Sequence, residues 1–234
     1  MPGIPRQWWT VGVPGVLDLH YKTYESVPLD AMPPIGRPFD GTLRWLRDTR
    51  THDRSLQRGP DDYPERDADA AELEALSPRL PLPPAFRLFI EDPTLRRHIR
   101  SATSCYLDLA QFVVGVSDGG VLIHFLSDQQ SVLEWLLYVG PDGSEAVLVS
   151  LEHLGFDYGE GEESEPRRLI DLSNQPPALY VCSESFEEFL YRFWVENELF
   201  HRLAIDKTPL QALPDELRSY AEAYPRNATQ PSTP

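Results

Sequence analysis

Residues 120–150 read GVLIHFLSDQQSVLEWLLYVGPDGSEAVLVS, and the way this stretch divides decides the fold. Three apolar runs, 121–126, 132–139 and 146–149, are separated by Ser127-Asp128-Gln129-Gln130 and by Pro141-Asp142-Gly143. Short β-branched and apolar runs bounded by turn-forming residues are strand-like, and connections this short require antiparallel neighbours. The spacing predicts a three-stranded meander. In its middle run Leu133, Trp135, Leu137 and Val139 alternate with Val132, Leu136 and Tyr138, and only Glu134 interrupts the second set. A strand that is apolar on both sides lies centrally and needs cover on both faces, so other parts of the chain must supply two covering layers.

The helix 183–203 is the natural cover for one face. Ser185 followed by Glu188 has the form of a capping box. Phe186, Phe189, Leu190, Phe193, Trp194, Phe200 and Leu203 recur at helical spacing as a broad apolar stripe. Pro84 and Pro93 each suit the first turn of a helix, predicting helices over 85–91 and 93–100. The second of these carries Arg96, Arg97 and Arg100 on a side read as solvated. Residues 105–109, 112–116 and 178–182 are strand material, and 214–224 is a weak helix before a polar tail. Residues 1–60, rich in Pro and Gly, read as an irregular extension that packs its aromatic side chains on the main body, with β-like pieces such as 16–24. The polar, proline-broken segment 49–69 reads as a linker or mobile loop.

The 234 residues carry a net charge of −16, and the excess is concentrated. Residues 101–200 hold 18 acidic side chains against 3 basic ones, so this half repels nucleic acid and anionic membrane and favours a basic partner. Acidity is densest in Asp157, Glu160, Glu162, Glu163 and Glu165, which crowd a glycine-containing loop with Tyr158 among them. The spacing is not that of an EF-hand. No apolar run approaches the roughly 18 residues of a membrane span, and the first residues lack a basic segment followed by an apolar one. A cytoplasmic protein is therefore expected. Cys105 and Cys182 lie far apart in apolar surroundings; reduced buried thiols are the simpler reading and a single disulfide the other.

Few residues suggest chemistry. Gly115-Val116-Ser117-Asp118-Gly119 matches the G-x-S-x-G pattern of serine hydrolases, which needs a sharp turn from strand into helix, yet the residues after Gly120 are strand-like. His124 and Asp128 frame the first meander turn, and His153 lies beyond its third strand. They form an incomplete set for zinc. No cofactor or metal is expected and no catalytic set is assembled.

The order of elements resembles the SUKH superfamily, the immunity-type proteins of bacterial toxin systems and their cell-wall-regulator relatives. The resemblance rests on LPPAFRLFI at 82–90, the Gly119-Gly120 turn before a strand, FLSD at 125–128, GPDG at 140–143 and CSESFEEFL at 182–190. It spans about residues 80–206, with 94–118 longer than the family pattern and no counterpart before residue 70. It implies an α+β fold, a mainly antiparallel curved sheet with helices packed on it, here preceded by the irregular N-terminal extension. The expected organisation is an extension over 1–60, a linker with a short helix over 61–80, the α+β domain over 81–206 and a C-terminal helix with its tail over 207–234. The resemblance also implies protein binding without catalysis, commonly neutralisation of a nuclease or deaminase toxin. The acidic balance agrees independently, because such a toxin has a basic cleft. Asp157, Tyr158, Glu160, Glu162, Glu163 and Glu165 are the expected partner contacts. A regulatory or scaffold protein of the same fold, and a hydrolase acting through Ser117 or a metal enzyme using His124 and His153, are the alternatives. The oligomeric state is open.

Overall fold

A computed structural model describes residues 3–19, 23–53, 56, 80–109, 113–130, 132–152 and 178–225. The fold is α+β. The meander forms as three antiparallel strands, β5 (Val121–Ser127), β6 (Glu134–Val139) and β7 (Glu145–Ser150). β8 (Leu179–Ser183) pairs antiparallel with β7. On the far side β5 pairs with two short strands, β3 (Tyr106–Leu107) near its end and β4 (Val114–Gly115) near its start. The resulting six-stranded sheet runs β3-β5-β6-β7-β8 with β4 beside β5.

Turn chemistry sets the register. Asp128 Oδ1 accepts the backbone N–H of Val132 at 2.6 Å, and its own N–H bonds the Leu133 carbonyl, closing β5 onto β6. Asp142 Oδ1 accepts both the N–H and the hydroxyl of Ser144, and Gly143 takes φ +82 between β6 and β7. At the β4–β5 turn, a Cβ added to Gly120 would come within 2.5 Å of the Tyr138 ring. Glycine is thus required there by packing, and Tyr138 is free to reach Asp118 Oδ2 at 2.8 Å.

Each sheet face has its own core. On the first, Phe125, Trp135, Leu137, Val147 and Val149 meet α4 (Phe186–Phe200) and α2 (Pro84–Glu91). The Phe125 ring stands edge-on to Phe186 and Phe189, with centroids 5.4 and 5.6 Å away. On the second, Leu122, Leu136, Tyr138 and Leu148 pack with Ile4, Val114, Val116 and Val181. Helix α2 begins at Pro84, as expected. The next helix, α3 (Pro93–Arg96), is a single turn capped by Asp92, and the chain leaves it before Arg100.

The N-terminal extension is more ordered than its composition suggests. Its strands are β1 (Gln7–Thr10) and β2 (Glu25–Pro28), paired antiparallel, in place of the expected 16–24. Trp8 packs on Phe189, Trp9 on Tyr180, and Tyr24 on Trp135. Pro5 accepts the N–H of Val181, which fastens the extension to the β8 edge. A turn of helix, α1 (Arg44–Arg47), comes next. The described part of the expected linker is also docked: His52 N–H bonds the Arg97 carbonyl, Leu56 N–H bonds that of Ile99, and Leu56 is buried. After α4 the chain makes a π turn (His201–Ile205), then α5 (Asp215–Ala223), packed against α4. Helix α4 is therefore an inner layer, packed on the sheet, with β1 at the adjoining β8 edge and α5 against it. Both cysteines are buried thiols.

Candidate functional site

Asp157, Tyr158, Glu160, Glu162, Glu163 and Glu165, together with His153, lie outside the described residues. Ser117 occupies the turn from β4 into β5, where Val116 N–H bonds the Gly120 carbonyl. That is a strand-to-strand reversal, without the strand-to-helix elbow that exposes a hydrolase nucleophile. Asp128 is spent on its turn.

His124 belongs to a constellation the sequence did not suggest. Ser127 Oγ lies 2.9 Å from His124 Nε2 and 3.2 Å from Asp108 Oδ2. A carboxylate only accepts, so the single Ser127 hydrogen goes to Asp108, and His124 donates from Nε2 to the serine oxygen. The proton order is the reverse of a nucleophile poised on its base. His124 and Ser127 are both 1% exposed. Among the described residues no group of three or more His, Cys, Asp or Glu side chains is placed to hold a metal ion.

Among the described residues a cleft of about 390 Å³ opens between residues 37–49, α4 and α5. Its wall is built by a backbone excursion. Gly41 takes φ +78 and Leu43 φ +52, conformations that turn the chain sharply over the start of α4. There the Gly41 N–H donates to Glu187 Oε2 at 2.6 Å and the Trp45 indole N–H donates to Glu187 Oε1 at 3.0 Å. Trp45 is thereby held edge-on to Tyr191 and against Trp194, with centroids 5.2 and 5.7 Å away. The Arg37 guanidinium lies over the rings of Trp45 and Tyr191 at 5.8 and 5.2 Å and pairs with Glu216 of α5 at 2.8 Å. Tyr191 donates its hydroxyl to the same carboxylate, and burial together with that bond pushes its pKa well up. Asp40, Arg44 and Asp48 form an exposed rim. Tyr191 and Trp194 are buried beneath the cleft, which leaves Trp45 and Arg37 half-buried on its wall as residues of the types that anchor protein contacts.

Beside the cleft the outward side of α4 is ionic and buried. Glu198, 3% exposed, receives Arg100 Nε at 2.9 Å on Oε1 and Arg202 Nε at 3.1 Å on Oε2, with His52 Nε2 2.9 Å from Oε1. Burial pushes the Glu198 carboxyl up, but Arg100, His52 and Arg202 outweigh it and hold it below its usual range. Burial keeps His52 and His201 below the usual histidine range. Asn197 accepts the Ala102 N–H at 2.6 Å. Two expectations are corrected here. Arg100, read as solvated, lies inside this cluster, and the acidity of residues 101–200 is partly interior, since Asp128, Glu134, Glu187, Glu196 and Glu198 are all buried.

Arg37, Trp45, Glu187, Tyr191, Trp194 and Glu216 carry the cleft and were not singled out from sequence. No local signal marked them, because charged residues beside an apolar stripe are the ordinary pattern of a helix with one side in water. No family model, curated protein or solved structure matches the chain. Among the described residues no helix is long and apolar enough to cross a membrane.

Proposed function

We propose that the chain is a non-enzymatic, cytoplasmic protein-binding domain of immunity type that neutralises a basic, nuclease-like toxin. The observation that carries this reading is the aromatic and guanidinium cleft around Trp45. It is open, its wall is held by part-buried hydrogen bonds to Glu187, and its half-buried Trp45 and Arg37 are residue types that anchor protein interfaces. The disposition of Ser117 and of Ser127 with His124 supports the absence of a catalytic role for these residues. The order α2, antiparallel sheet, β8, α4 is compatible with the SUKH resemblance. The acidic segment around Glu162 would steer a basic partner, and the cleft would contribute contact energy.

The test begins with the neighbours of the gene: a nuclease-like reading frame found beside it is co-expressed with the chain. Growth should be protected and the nuclease blocked at equimolar ratio. Trp45→Ala should weaken the complex by about 2 kcal/mol, mainly through faster dissociation. Replacing Asp157, Glu160, Glu162, Glu163 and Glu165 by Gln or Ser should slow association and flatten its salt dependence. Full toxicity in the presence of the folded chain would end the immunity reading and leave the scaffold role.

A further inference from the structure

Helix α4 holds a carboxyl group of a different kind from Glu198. Glu196 is 2% exposed. Its Oε1 accepts the hydroxyl of Tyr224 at 3.0 Å and that of Tyr220 at 3.4 Å, both from the C-terminal helix region. From the N-terminal strand β1, Trp8 and Thr10 lie against it. The Trp8 indole N–H is buried beside the carboxyl group without reaching hydrogen-bond geometry. One turn earlier on α4, Arg192 is the nearby cation, but its guanidinium donates to the Pro33 carbonyl at 2.9 Å and to Glu188 at 3.4 Å. Among the described residues none forms an ion pair with Glu196. One buried carboxyl group, met only by neutral donors, thus joins α4 to both chain-terminal segments.

We propose that Glu196 is a proton-operated latch: in its neutral form it holds β1 and α5 against α4, and its ionisation loosens that clamp. The chemistry comes from the surroundings. A protonated carboxyl group sits at little cost among phenols and an indole, whereas a carboxylate there lacks water and has in Arg192 a neighbouring cation that is engaged elsewhere. Burial raises the Glu196 pKa to about 7, with Trp8, Thr10, Tyr224 and Arg192 opposing that rise. With the clamp open the group returns to its ordinary value of 4.5. Between those two values the closed form keeps a proton that the open form has lost. Clamping therefore weakens as pH rises through this window and levels off above it. His52 and His201 act in the opposite sense, since burial favours their neutral forms, so total stability against pH would mask the latch. Because α5 also carries Glu216 to the cleft, opening the latch removes one cleft wall. The proposal does not depend on what that cleft binds.

The test uses the whole chain, labelled with ¹³C at glutamate carboxyl carbons. The Glu196 resonance, assigned by its loss in Glu196→Gln, should titrate with a midpoint near 7. Hydrogen-exchange protection of α5 amides, corrected for intrinsic exchange, should fall on the order of thirtyfold between pH 5.5 and 8.5. Glu196→Gln keeps a neutral group of the same shape and should lose this dependence while His52 and His201 still titrate. A midpoint below 5, or an equal fall in protection in Glu196→Gln, overturns the proposal. Should that variant fail to fold, the assignment comes from Glu196→Asp and the midpoint in the unmodified chain decides.

Discussion

On the side of α4 that meets the sheet, Phe186, Phe189 and Phe193 pack against Phe125 and Trp135. Elsewhere around the helix Glu187, Arg192, Glu196, Asn197 and Glu198 are buried to a similar degree, Glu187 and Glu198 on the side turned away from the sheet and Glu196 and Asn197 further along the turns that follow Phe189 and Phe193. The first side is held by apolar area and ring packing, which require only that large side chains recur at helical spacing. The second depends on individual partners: Glu187 on Gly41 and Trp45, Arg192 on Pro33, Glu198 on Arg100, His52 and Arg202. A nonpolar contact that shifts slightly loses a fraction of its energy, whereas a buried charge that loses its partner keeps its full desolvation cost. The outward side is therefore the more specific of the two, and the open cleft lies there.

The difference can be broken most directly at Phe189, which touches Trp8, Phe125, Trp135, Phe186 and Phe193. Phe189→Ala should cost about 3–5 kcal/mol in urea unfolding, through lost transfer energy and the cavity left behind. The cost should be insensitive to salt and pH. A marked salt dependence would mean that the two sides are not held by separate forces.

Glu198→Ala comes next, at about 2–3 kcal/mol, because Arg100 and His52 would remain partly buried without their acceptor. The Glu198 pKa is depressed, so its contribution is present at neutral pH and is lost as pH falls through the depressed value in acid. The stability difference between wild type and Glu198→Ala should narrow accordingly below about pH 4. Replacing Glu198 and Arg100 together by Met should cost less than Glu198→Ala alone, since no charge is stranded between those two positions. If the double variant is the worse of the two, the ion pair contributes net stability and the outward side is a core in its own right.

The meander, α2, β8 and α4 were readable in the sequence because each depends on local period and turn chemistry. Asp128, Asp142 and Ser185 act within a few residues of themselves. The polar contacts of α4 were not readable, because they join residues far apart: Gly41 to Glu187, His52 to Glu198, Tyr224 to Glu196. Nothing local marks Arg100 as interior or Trp45 as the wall of a cleft. Composition was misleading for the same reason, since a buried glutamate and an exposed one count alike in net charge. The extension looked irregular because β1 and β2 are short and pair across an intervening stretch that contains Gly12, Pro14 and Gly15.

The smallest test concerns the one device both sides of α4 share, its N-terminus. Ser185 Oγ accepts the N–H of Glu188 at 3.2 Å. The sequence predicted a reciprocal box, but Glu188 turns its carboxylate toward Arg192, and the Ser185 N–H is met by Ser183 Oγ at 3.4 Å. Half of the box was thus given up to the ionic side. Ser185→Ala should cost about 1 kcal/mol, the worth of a single cap. Glu188→Gln separates the two roles: it retains the backbone N–H that the cap uses while removing the charge that faces Arg192. If the cap and the ion pair are independent, the costs of the two substitutions add in the double variant to within about 0.5 kcal/mol. A larger discrepancy would show that the helix start and the outward ionic side are coupled through Glu188.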